Sequence, residues 1–204
     1  MENDRADAAA VYALFASVLV TVPDGEVRDR MARLLAAAGD EASAAVDEAA
    51  DLEQCFYDRL VIAVSPRYLP AIESCMLDAR EDEPGRLEPG RLDGPRMTEV
   101  LACYRTYGFD HRALRGFQPL VDSLRPDHLS VELAFMAHLR RLEAAGGEKG
   151  LAAGRFADEF LRRHLASWVP TLCAVARQRG EGDEYVRLIE AVRSWIDLDA
   201  SAAA

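Results

Sequence analysis

Apolar residues recur with a helical period over most of the chain. Val11, Leu14, Phe15, Val18 and Val22 fall on one stripe, and Leu52, Phe56, Leu60 and Val64 on another, because positions three and four apart share a helix face. Leu129, Leu133 and Met136 run beside a second row, Val131, Phe135, Leu139 and Leu142, so the apolar arc there is wider than a half-exposed helix needs. This pattern predicts that Pro126 to Ala145 is the central, most buried helix. Phe156, Phe160, His164 and Trp168 recur at every fourth position, and Tyr185, Leu188, Ile189, Val192 and Ile196 form the last stripe. Prolines leave uninterrupted reaches from Asp24 to Ser65, Asp127 to Val169 and Thr171 to Ala204, each long enough for one or two helices. No segment alternates with a period of two, and no Asn-Gly or Asp-Gly pair joins two apolar runs, so a sheet is not expected.

Two segments break the pattern. Between Asp78 and Arg96 more than half of the residues are charged and six are Gly or Pro, including the quasi-repeat Gly85-Arg86-Leu87 and Gly90-Arg91-Leu92. Such a stretch cannot bury a core, and a long exposed loop is predicted. Gly108 to Pro126 separates an N-terminal helix set (residues 1–107) from a C-terminal set (127–198, with a tail 199–204) and serves as a hinge in this reading. Gly146-Gly147 and Gly180-Glu181-Gly182 read as helix stops.

Composition sharpens the class. Ala and Leu supply 59 residues against 23 for Val, Ile and Thr, which points to an all-α fold. At 204 residues, half of them apolar, the chain suffices for one domain with a real core or for two small lobes sharing one. The formal charge of −11 leaves no basic stripe for a phosphate backbone, which argues against nucleic acid as a partner. The longest uncharged run, Ala8 to Pro23, falls short of the ~20 residues that span a bilayer. Its acidic flank, Met1 to Arg5, does not read as a secretory signal, so a cytoplasmic protein without stable membrane insertion is expected. Cys55, Cys75, Cys103 and Cys173 form no C-x-x-C pair and are expected to be reduced, buried thiols.

Most catalytic patterns are missing. No Glu is followed by His three positions later, so the di-iron bundle reading fails, and neither a phosphate-cradling Gly-rich loop nor a nucleophile elbow occurs. What remains is Pro126-Asp127-His128 followed by Glu132. As structure alone this is a helix start, with proline in the first turn and a carboxylate at the positive end of the dipole. As chemistry, a carboxylate, an imidazole and a second carboxylate converge on a hinge groove and suit a cationic peptide, whereas a metal would need a partner cluster. His164 reads as a hydrogen-bonded core histidine, and Trp168 and Trp195 as core or groove walls. Neither a cofactor nor a metal site nor a catalytic residue is assigned.

These residues carry a family resemblance. Pro126-Asp127-His128-Leu129, running into Glu132-Leu133-Ala134-Phe135-Met136 and Leu139, is similar to a helix of the TorD/DmsD/NarJ family of redox-enzyme maturation chaperones, in the style of the TorD branch. Tyr68-Leu69-Pro70-Ala71-Ile72-Glu73-Ser74 resembles the family's Tyr-x-Pro…Glu-Ser segment. Gly94-Pro95 with Val100, Tyr104 and Gly108, and Phe160, His164-Leu165, Trp168 and Pro170, resemble two further blocks in the family's order. Arg125 stands where many relatives are acidic. The resemblance implies a single all-α helical-bundle domain, not an enzyme. Its partners would be the twin-arginine signal peptide and the body of a molybdenum-cofactor oxidoreductase, held in the cytoplasm before export. It places peptide recognition at Asp127 and His128, with Tyr68, Pro70, Glu73 and Ser74 on the facing loop, and Asp127, Glu132 and Glu73 as guanidinium partners. The alternative is a generic acidic helical adaptor for an amphipathic partner helix. A hinge between two helix sets permits either a monomer or a domain-swapped dimer.

Overall fold

The widest apolar arc in the sequence becomes the centre of the molecule. In the computed structural model, which describes residues 2–40, 51–180 and 182–202, this segment forms α7 (Leu129–Ala144). Its residues Leu129 to Leu133, Phe135 to Ala137, Leu139 and Arg140 are all buried. α1 (Glu2–Val18) lies along one side of α7, and α8 (Gly147–Phe160) along another. α8 passes through a single π turn (Leu161–Leu165) into α9 (Ala166–Gln178), and α10 (Glu184–Ala202) packs on α9. α2 (Gly25–Ala37) covers α1 and α10, its first turn capped by Asp24, whose carboxylate accepts the Val27 N–H at 2.9 Å. Shorter elements fill the gaps: α3 (Leu52–Phe56) with a π turn to Val61, α4 (Glu73–Leu77), α5 (Arg96–Thr106) and α6 (Gln118–Val121).

The predicted stripes are observed with shifts of phase. All five residues of the last stripe are buried in α10. On α1 the deeper face is Tyr12, Phe15 and Ala16, continued by Leu19 just past its end, while Val11 and Leu14 are half-buried. Leu52, Phe56 and Leu60 are buried, but Val64 is 92% exposed, because the helix has ended at the π turn and Pro66 draws the chain out of helical geometry. Cys55, Cys75 and Cys173 are buried and Cys103 is half-buried, all as free thiols.

Three expectations need correcting. The 78–96 segment holds an antiparallel hairpin, β1 (Arg80–Glu83) with β2 (Arg86–Glu88), closed by Pro84-Gly85 with Gly85 at φ +80°. Every residue of β1 is exposed, so no alternation could announce it; Gln178 on α9 holds the hairpin by accepting from Leu87 N–H at 3.0 Å and donating to the Gly85 carbonyl at 2.8 Å. Second, α7 begins at Leu129 rather than Pro126, and its cap is His128, not Asp127. Third, the helix of the last stripe continues through Ala202, so residues 199–202 are not a tail. Gly146, Gly147, Gly180 and Gly182 all take positive φ at the predicted stops, with Glu181 and residues 203–204 outside the described residues.

Two buried ionic groups tie helices together. Arg140, fully buried on α7, donates to Glu143, Asp158 and Asp199 at 2.8 Å each, and Tyr12 on α1 donates to the same Asp199 oxygen at 2.8 Å. Four helices thus share one charge network. Arg59, also fully buried, pairs with Asp183, which caps α10 by accepting from Val186 N–H at 3.0 Å. Burial raises the Asp183 carboxyl, but hydrogen bonds from Arg59, Val186 N–H and Arg67 outweigh it and hold it below the ordinary range.

Candidate functional site

The four blocks that carry the resemblance converge on one joint. Residues 71–74 run beside residues 127–129 as a single antiparallel bridge between Ile72 and His128. Glu73 N–H donates to the Asp127 carbonyl at 2.8 Å and Leu129 N–H to the Ala71 carbonyl at 2.9 Å. Tyr104 on α5 donates its hydroxyl to the Pro126 carbonyl at 2.8 Å. Gly94 passes so close to Ser74 that a Cβ there would stand 3.0 Å from its Oγ, so the glycine supplies the clearance.

Asp127 is the pivot of this joint and is fully buried. Its Oδ2 accepts from Ser74 Oγ at 2.6 Å and from Ser74 N–H at 3.4 Å, and its Oδ1 faces Arg125 Nε at 3.3 Å. The carboxylate therefore serves the start of α4 rather than α7. The cap on α7 comes from His128, whose Nδ1 accepts the Ser130 N–H at 3.2 Å. A capping acceptor must be unprotonated, and burial pulls the His128 imidazole down to about 4 despite the neighbouring Asp127 carboxylate.

Beneath the joint, Glu73, Glu132 and His164 bring donor atoms within 4.8 Å of one another. Both carboxyls are fully buried and the imidazole nearly so. His164 Nδ1 lies 3.0 and 3.1 Å from the two Glu73 oxygens, and Arg96 Nε is 3.8 Å from Oε1 of Glu73. Among the described residues Glu132 makes no ion pair; it accepts from Trp168 Nε1 at 3.1 Å. Burial, then the Glu73 charge, push the Glu132 carboxyl well above its ordinary range, and a hydrogen bond with Glu73 acts in the same direction. Its Oε1 finds no hydrogen-bond donor among the described residues. The trio is the grouping among the described residues that could share a metal ion, and Arg96 already stands beside Glu73.

The residues singled out in the sequence thus divide. Asp127, His128, Glu73, Ser74 and Glu132 form one continuous network, while Tyr68, half-buried, and Pro70, buried, precede it in the chain. Arg179 donates to the Tyr68 carbonyl. The guanidiniums nearest to Asp127 and Glu73 are the chain's own, Arg125 and Arg96. Sequence reading missed both as members of the site, although Arg125 was marked by its departure from the family pattern. Burial raises the thiols of Cys55 to about 12 and of Cys75 and Cys173 to about 11. Among the described residues no helix is long and apolar enough to cross a membrane.

Comparison with known proteins agrees with the convergence of the four blocks. A search of curated proteins and of solved structures gives no match. A family model described as the nitrate reductase delta subunit matches residues 22–174, three quarters of the chain and all four blocks. The chain belongs to that family, the NarJ/TorD type of redox-enzyme maturation chaperones.

Proposed function

We propose that this chaperone binds, in the cytoplasm, the twin-arginine signal peptide of a molybdenum-cofactor oxidoreductase and holds the enzyme back from export until it has matured. Family membership carries the reading, and Asp127 gives it a mechanism. One Asp127 oxygen is committed to Ser74, whereas the other faces only Arg125 among the described residues, and Arg125 keeps a quarter of its side chain exposed. An arginine of the peptide takes Oδ1 as Arg125 turns out to solvent. The exchange is cheap because the buried carboxylate keeps a guanidinium throughout. His128, Ser74, Glu73 and Glu132 hold the Asp127 loop at its station, and Tyr68 and Pro70 line the approach.

Calorimetric titration with synthetic twin-arginine leader peptides of molybdenum-cofactor oxidoreductases tests the exchange. Wild-type protein is expected to bind at micromolar affinity or better. Asp127→Asn weakens binding at least about tenfold, and Arg125→Ala, by removing the internal competitor, strengthens it about three- to tenfold, both with unchanged far-UV circular dichroism. Absence of heat and of any fluorescence change with every twin-arginine peptide overturns the reading. So does recovery of an unrelated cytosolic complex, instead of a precursor molybdoenzyme, in a pull-down from the native cells.

A further inference from the structure

Three exposed arginines rim a cleft in the segment 108–126 of this acidic chain. The cleft lies between α5 and residues 109–126 and has a volume of about 590 Å³. Leu101, Phe109 and Leu124 are among the apolar side chains of its floor, and Arg105, Arg112 and Arg115 stand on its rim. All three arginines are exposed, and none makes an ion pair among the described residues; Arg115 donates only to the Leu114 carbonyl at 3.4 Å. The one carboxylate on the lining, Asp122, accepts from Gln118 at 2.5 Å. Burial, and then Arg112, hold His111 in the same cleft below its ordinary value, so it adds no charge at neutral pH.

Three exposed guanidiniums that make no ion pair among the described residues stand together on one cleft of a chain with a net charge of −11. Several other surface arginines meet acids: Arg30 pairs with Glu26, Arg86 with Glu88, Arg91 with Asp78 and Arg177 with Glu190. A guanidinium fork matches a carboxylate in two parallel hydrogen bonds, and an apolar floor beneath the forks adds a place for an aliphatic or aromatic side chain. We propose that this cleft binds an acidic peptide segment, carboxylates on the Arg105, Arg112 and Arg115 rim and an apolar anchor on the floor. A nucleic acid is disfavoured, because its phosphates would continue beyond the cleft onto an acidic surface. The site is opposite in sign to the one proposed at Asp127, yet Pro126, which borders the cleft, is its immediate neighbour in sequence. The two sites can therefore be tested independently.

The probe is a fluorescein-labelled peptide of alternating Glu and Leu with one central Phe, followed by anisotropy in low and in physiological salt. Wild-type chain is expected to bind it and to bind the Gln-for-Glu peptide at least about tenfold more weakly. Arg105→Glu and Arg112→Glu should each weaken binding at least about tenfold, whereas Arg33→Glu, the same charge change at an exposed position on α2, should alter it less than about twofold. Twin-arginine peptide binding, measured in parallel, should survive Arg105→Glu. The proposal is overturned if the wild-type chain ignores the Glu peptide. It is equally overturned if the Gln peptide binds as well, if Arg33→Glu weakens binding as much as Arg105→Glu, or if only inorganic pyrophosphate binds the cleft.

Discussion

At the scale of single residues, the joint is built from groups whose protonation is set by burial. His128 must stay neutral to accept the Ser130 N–H, and its folded value of about 4 lies below the ~6.5 of an unfolded histidine. Between those two values the unfolded chain binds the extra proton, so stability is lost as pH falls from 6.5 towards 4, by up to about 3 kcal/mol. Glu132 works in the opposite sense. Its carboxyl is raised in the folded state, so it opposes folding increasingly as pH rises above the ordinary carboxyl range. Asparagine is a good cap and does not titrate. His128→Asn should therefore keep α7 capped and flatten the acid limb: urea midpoints measured from pH 7 to pH 4 should fall less in the variant than in the wild type. A parallel fall in the two proteins would remove His128 as the origin. Neither effect was legible in the sequence, where Pro126-Asp127-His128 read as a helix start with Asp127 on the helix dipole. What reverses their roles is Ser74, 53 positions away, which takes the Asp127 carboxylate and leaves the cap to histidine.

At the scale of elements, periodicity revealed the apolar faces and was silent on the charges buried between them. Tyr185, Leu188, Ile189, Val192 and Ile196 all lie where their spacing put them, because a helix repeats its face whatever packs on it. Arg140 sits among Leu133, Met136 and Leu139 with no local mark of burial, since its partners Asp158 and Asp199 come from α8 and α10. The hairpin at 80–88 escaped for the converse reason, its first strand being exposed on both faces and held by one glutamine of α9. Arg140→Leu removes the charge that faces Asp158 and Asp199, and should cost roughly 3–5 kcal/mol in urea unfolding. Adding Asp199→Leu should restore a substantial part of that loss, because two apolar side chains replace a pair rather than breaking one. A double variant no more stable than the single one would show that Asp199 holds α10 through Tyr12 instead.

At the scale of the whole molecule, residues 108–126 join two helix sets in sequence that share one core in space. α1, from the N-terminal set, lies along α7, from the C-terminal set, and the buried residues of both belong to a single cluster running from Tyr12 to Ile196. The joint at Ser74 and Asp127 and the ring contact of Tyr12 with Trp195, 5.9 Å between centroids, cross between the sets at separate places. Separating the sets would expose α7, whose burial depends on α1, so neither set has a complete core alone. Unfolding is then expected to be one cooperative event. Trp168, beneath the joint, and Trp195, against α1, provide reporters in two regions. The fluorescence of Trp195→Phe, which reads Trp168, and of Trp168→Phe, which reads Trp195, should each lose structure at the same urea midpoint as the far-UV signal of that variant, within about 0.2 M. A fluorescence transition that precedes the far-UV one would reveal sets that come apart before they unfold. Coincident transitions confine any response to a bound peptide to residues 108–126 and the Arg125 side chain, or require an exchanged dimer that rebuilds the same α1 and α7 contact from two chains.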